Sequence, residues 1–146
     1  MTTTTTVPAQ KRILIVDDEP DMTFLVRLNL QKTGRFEVQE ENRASQAIDV
    51  ARDFKPDLIL LDVMMPELDG GDVLALLKDD PNLRNIPVVF LTATVLKEEV
   101  SSNKGTIGGY PFISKPFEVE TLVARIDTLL SEPSTSASTS TTSTEE

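Results

Sequence analysis

Five short apolar runs punctuate the middle of this chain, and their spacing restricts it to very few folds. They are Ile13–Val16, Phe36–Val38, Leu58–Leu61, Val88–Leu91 and Phe112–Ile113. All but the second are nearly continuous in apolar residues, the pattern of a strand covered on both faces. Between them the period changes to that of a helix. Ala44, Ala47, Ile48 and Ala51 recur at i, i+3, i+4 and i+7, and Val73, Leu74 and Leu77 form a shorter stripe. Val119, Leu122, Val123, Ile126, Leu129 and Leu130 hold one helical face towards the end of the pattern. A weaker stripe, Phe24, Leu25 and Leu28, follows the first run, with Gly34 placed to stop that helix. Residues 95–103 carry only a faint helical pattern. Strand and helix alternating in this way predict an α/β fold, a parallel sheet with helices on both faces, because right-handed crossovers allow little else. In such sheets ligands bind at the carboxyl ends of the strands.

The pattern accounts for one domain. Residues 1–9 are Thr-rich, and residues 132–146 are a Ser/Thr tract without a large apolar residue. Neither can bury enough surface to offset the entropy of ordering, so the sequence predicts flexible tails around a domain at residues 10–131. The net charge is −10 and the basic residues are scattered, which argues against direct nucleic-acid binding. The chain has no Cys and no His, so disulfides, thiolate chemistry, imidazole bases and the usual transition-metal ligands are excluded. Any metal here should be a hard, oxygen-bound ion. No apolar run reaches membrane-spanning length, and MTTTTTVPAQKR lacks the apolar core of a secretory signal; a cytoplasmic location without membrane insertion is expected.

The residues that close the apolar runs belong together. Asp17 and Asp18 follow the first run, Asp62 the third, Thr92 ends the fourth, and Lys115 comes just after the fifth. Taken singly, Asp18 reads equally well as a cap for the helix that Pro20 opens and Asp62 as a turn residue, while Thr92 reads better as a cap or strand residue and Lys115 as a solvated charge. Jointly those readings fare worse, because like charges held together destabilise a fold unless a cation offsets them. A Mg²⁺ ion would do so, since it takes a few carboxylates, keeps waters and accepts phosphate oxygens. Asp62, Thr92 and Lys115 then supply a carboxylate nucleophile, a hydroxyl donor and a cation suited to phosphoryl oxygens.

With ILIVDDEP, DLILLDVMMPELDG, VVFLTA and FISKPF in this order, the sequence resembles the receiver domains of two-component response regulators, over about Lys11 to Leu130. The resemblance implies a flavodoxin-like (βα)5 fold, a doubly wound five-stranded parallel sheet in the order 2-1-3-4-5. It implies Asp62 as phosphoacceptor, and Mg²⁺ held by Asp17, Asp18, Asp62 and the backbone carbonyl of Met64. Thr92 would hydrogen-bond the phosphoryl group, Lys115 would pair with it, and Lys115–Pro116 would be cis. Phe112 occupies the switch-aromatic position and reads equally as a core strand residue; it lacks the hydroxyl of a Tyr, so any movement would be driven by packing. Met64 and Thr94 sit where family members tune phosphoryl lifetime.

The implied activity is transfer of a phosphoryl group to Asp62 from a sensor histidine kinase or phosphotransfer protein, or from a small phosphodonor, followed by hydrolysis. The resemblance implies a switch that catalyses only its own phosphorylation and dephosphorylation and docks to a downstream protein target, rather than an enzyme with an external substrate. A stand-alone domain is expected, since no output domain follows Leu130. The stretch TVLKEEVSSNKGTIGGYPF departs from the common pattern, so the signalling face built from the fourth helix, fifth strand and fifth helix is expected to be unusual. A binding-only receiver would lack part of the constellation. A haloacid-dehalogenase-type phosphohydrolase would carry an acid where Met64 stands, and a flavin carrier would need a phosphate-binding loop in place of DDEPD.

Overall fold

The computed structural model describes residues 10–92, 106–107, 110–115 and 117–131. Six strands form one sheet: β1 (Lys11–Val16), β2 (Phe36–Glu41), β3 (Leu58–Asp62), β4 (Val88–Thr92), β5 (Thr106–Ile107) and β6 (Tyr110–Ser114), in the order β2-β1-β3-β4-β6-β5. Five of them are parallel. Counted alone these five have the expected order 2-1-3-4-5. The addition is β5, a two-residue strand antiparallel to β6, with Ile107 opposite Tyr110. Two glycines separate that pair in the sequence, the spacing of a tight hairpin.

Alternation of side chains along each strand divides the core between the two faces of the sheet. Ile13 and Ile15 pack with Leu58, Leu60, Val89 and Leu91 on one face, under helices α1 (Pro20–Lys32) and α4 (Val119–Ser131). Leu14 and Val16 pack with Ile59, Leu61, Val88 and Phe90 on the other, under α2 (Ala47–Phe54) and α3 (Gly70–Lys78). Every residue of β3 and β4 is buried, which is why these runs carry no polar alternation. Strand β2 lies at the edge and does alternate, with Phe36 and Val38 buried between exposed Glu37 and Gln39. Charged residues on such a strand discourage pairing with another chain.

The helices follow the predicted stripes except on α1. Ala44, which begins a turn of 3₁₀ helix, is buried with Ala47 and Ala51 of α2; Val73 and Leu77 are buried on α3, and Leu122 and Ile126 on α4. On α1 the expected stripe is wrong: Phe24, Leu25 and Leu28 are exposed, and Thr23, Val26 and Leu30 face the sheet. A buried threonine looks costly from sequence, but its hydroxyl is hydrogen-bonded to Glu40 at 2.8 Å, which removes the penalty. Gly34 does stop this helix, adopting φ +78° two residues after Lys32. The faint helical pattern at residues 95–103 lies outside the described residues, as do Thr94, Pro116 and the two Ser/Thr-rich ends.

Candidate phosphoacceptor site

The parallel register brings the carboxyl ends of β1, β3, β4 and β6 to one edge. Asp17 is the first residue beyond β1, Asp62 the last of β3, Thr92 the last of β4, and Lys115 the first beyond β6. All but Lys115 and exposed Asp18 are almost fully buried. One carboxylate oxygen from each of Asp17, Asp18 and Asp62 can be chosen so that all lie within 4.8 Å of one another.

Lys115 spans this cluster. Its Nζ donates to Asp17 Oδ2 at 2.6 Å and lies 3.5 Å from Asp62 Oδ1 and 3.3 Å from Glu19 Oε1. Its backbone N–H donates to the Thr92 carbonyl at 2.7 Å, extending the β4–β6 ladder and fixing where the side chain starts. Asp17 Oδ1 accepts from the Glu19 backbone N–H at 3.0 Å. Glu19 is the N-cap residue of α1 and makes no side-chain cap bond, so Asp18 is not the helix cap that its position before Pro20 suggested. Among the described residues the Asp18 carboxylate makes no hydrogen bond or ion pair.

The electrostatics show what this arrangement costs. Burial, together with the charge of Asp17, pushes the Asp62 carboxyl up to about 6, against the pull of Lys115. Burial also raises Asp17, although Lys115 and the Glu19 N–H both favour its ionised form. Burial pulls the Lys115 ammonium down, but the hydrogen bond and charge of Asp17 outweigh it, so the net shift is upward. Three carboxylates and one ammonium leave an excess of negative charge, and the donor set is all hard oxygen. It fits a cation of the Mg²⁺ type.

Two neighbouring contributions were not legible as functional residues. Glu19 is the second carboxylate on Lys115; only its place in DDEP hinted at it. Gly70 opens α3 directly against the end of β3, where its N–H donates to Val63 O at 2.9 Å. A Cβ there would lie 2.7 Å from the Asp62 carbonyl and 3.0 Å from Val63 Cα, so only glycine lets the helix approach. The DG that closes DLILLDVMMPELDG was the available signal. Asp69 and Asp72 then cap that helix reciprocally. Met64 is exposed, and its N–H lies 3.4 Å from Asp62 Oδ1. Phe112 is buried in the core under α2 and α3.

The family model for the response regulator receiver domain matches residues 13–127, all four strand ends included. The chain belongs to that family. Among similar receivers and regulators, the polar-differentiation response regulator DivK of Brucella anthropi is 36% identical over 123 residues, covering 84% of this chain and 98% of that protein. The DNA-binding dual master transcriptional regulator RpaA of Synechocystis is 37% identical, covering 82% of this chain but 48% of that protein. The chain thus spans about half the length of the regulators RpaA and Rre1. Among solved structures, Vibrio cholerae chemotaxis protein CheY4 superposes with a TM-score of 0.71 at 27% identity, over 82% of this chain and 98% of that one. The receiver domain of a signal transduction histidine kinase from Syntrophus aciditrophicus gives 0.69 at 34% identity, over 83% and 90%. No described helix of this receiver is long and apolar enough to cross a membrane.

Proposed function

We propose that this receiver, at residues 10–131, is a stand-alone cytoplasmic switch that accepts a phosphoryl group on Asp62 in a Mg²⁺-dependent reaction. The supporting observation is Lys115 Nζ within 2.6 Å of Asp17 and 3.5 Å of Asp62, inside a cluster of three carboxylates. Asp62 attacks phosphorus as its carboxylate; the P–N bond of a phosphohistidine breaks as the O–P bond of an acyl phosphate forms. Water later attacks phosphorus, releasing inorganic phosphate and restoring the carboxylate.

Lys115 is placed to exchange its contact with Asp62 for one with the phosphoryl oxygens. Thr92, at the end of the adjacent strand, would donate its hydroxyl to the same group. Asp17, Asp18, Asp62 and the carbonyl of Met64 would hold Mg²⁺, which when bound supplies charge neutralisation for the added phosphate. Phosphorylation adds close to two negative charges. That added charge would change the surface seen by a downstream protein, with Phe112 shifting by repacking. The donor would be a sensor histidine kinase or phosphotransfer protein, and the reading involves neither nucleic acid nor an external substrate.

Intact-mass spectrometry after incubation with a small phosphodonor tests this directly. A gain of one phosphoryl group that requires Mg²⁺ and is lost in Asp62→Asn is expected. Failure to gain it from small donors or from purified histidine kinases, with Mg²⁺ binding intact, would sink the reading.

A further inference from the structure

Behind the acidic pair runs a hydrogen-bonded chain that the phosphoacceptor chemistry does not itself require. Arg27 on α1 pairs with Glu40 Oε2 at the end of β2, and Glu40 Oε1 accepts from the Thr23 hydroxyl at 2.8 Å. Asn42, just beyond β2, donates one N–H to Thr23 Oγ1 at 3.0 Å and the other to the Asp17 backbone carbonyl at 2.8 Å. The partners fix the amide's orientation: a carbonyl oxygen can only accept, so Nδ2 must face it. Thr23 is fully buried, and the network satisfies it.

We infer that Asn42 is a positioning residue for the metal cluster: by holding the Asp17 carbonyl it sets the plane of the Asp17–Asp18 peptide and so aims the Asp18 carboxylate at Asp17 and Asp62. The inference rests on the proposed reading of that cluster as a Mg²⁺ site.

The β1–β2 ladder ends with Val16 opposite Glu41, and the Asp17 N–H still reaches the Glu41 carbonyl at 3.1 Å. Beyond that point the Asn42 side chain takes over as donor to the chain leaving β1. The Asp17 carboxylate has its own anchors, the Glu19 N–H on one oxygen and Lys115 on the other. Asp18 has none among the described residues. Its side chain is placed only by the backbone that carries it, and the C=O of Asp17 and the N–H of Asp18 share one rigid plane. Loss of the Asn42 bond therefore releases Asp18 while Asp17 stays put.

The test is a Mg²⁺ titration of the full chain at pH 7.5, followed by the NMR shifts of the Asp17 and Asp18 amides. Asn42→Ala is expected to raise the Mg²⁺ dissociation constant about tenfold, the usual effect of losing a partner that orients a ligand. Thr23→Val, which removes the neighbour of Asn42, should shift it in the same direction by less, and Thr23→Ser should restore it. Val26→Ala, a core truncation on the same helix, should leave it unchanged. An Asn42→Ala constant within about twofold of wild type, or equal weakening by Val26→Ala, overturns the inference while leaving the metal site standing. If Asn42→Ala fails to fold, the Thr23 pair decides alone: Thr23→Val binding as wild type does overturns the inference. A wild-type chain whose amides do not respond to Mg²⁺ overturns both the cluster reading and this one.

Discussion

At the amino-terminal edge of the sheet, Asp57 accepts from the Arg12 N–H at 2.8 Å, and Asp80 accepts from Arg52 at 2.9 Å and from the Asn82 N–H at 2.8 Å. At the carboxyl edge, Asp17, Asp18 and Asp62 crowd one another around a single lysine. The same residue type therefore has opposite consequences at the two ends of the strands. Arg52 and the Asn82 N–H hold Asp80 below the ordinary carboxylate range, whereas burial and the charge of Asp17 hold Asp62 above it, and burial with the charge of Glu19 does the same for Asp17. One edge uses its carboxylates to tie loops down. The other keeps repulsion in reserve, to be relieved by a cation.

Removing Lys115 should break the contrast most severely. Lys115→Ala leaves two buried carboxylates without their counter-charge and is expected to cost about 3 kcal/mol in metal-free protein at pH 7.5. Urea denaturation in chelator measures it; a loss below about 1 kcal/mol would mean that the cluster is already solvated.

Asp62→Asn should move stability the other way. The folded-state value of about 6 lies above the ordinary 3.8, so between those pH values the folded chain keeps a proton that the unfolded chain has lost. The penalty is absent below the lower value and complete once pH has risen through the upper one. Metal-free Asp62→Asn should accordingly be more stable than wild type by about 3 kcal/mol at pH 7.5 and equal to it below about pH 3. For Asp80 the sign reverses: its stabilisation is present above the ordinary carboxylate value and lost as pH falls, so Asp80→Asn should weaken the fold at pH 7.5 and not in acid. Denaturation midpoints of both variants across this range should diverge in opposite directions; parallel curves would remove the contrast.

The smallest expected effect concerns Lys55, which closes α2 at the amino edge with φ 55° and ψ 63°. That left-handed conformation suits glycine, so Lys55→Gly is expected to gain about 0.5 kcal/mol in thermal denaturation. A loss would show that the Lys55 charge matters at that end.

The strands were legible because β1, β3 and β4 are buried on both faces and can afford few polar residues. The site was legible because each strand end delivers one chemically distinctive side chain, so Asp17, Asp62, Thr92 and Lys115 stand out by position as well as by type. The face of α1 was not, because its apolar residues occur on several sides and the decisive contact is Thr23 with Glu40, a pairing across seventeen positions that no local pattern reveals. Strand β5 was missed because two residues cannot establish a period. Gly70 shows its purpose only once the Asp62 carbonyl is seen beneath it.

Tyr110 stands edge-on to Phe90, ring centroids 6.1 Å apart, with Lys78 Nζ 5.2 Å from the centre of its ring. The chain has one tyrosine and no tryptophan. Its longest-wavelength ultraviolet absorption and emission therefore come from a single phenol, seated where β6 meets the helix that begins beside Asp62. Any rearrangement of that seam will be recorded optically without an added label, and the signal will belong to one known address in the fold.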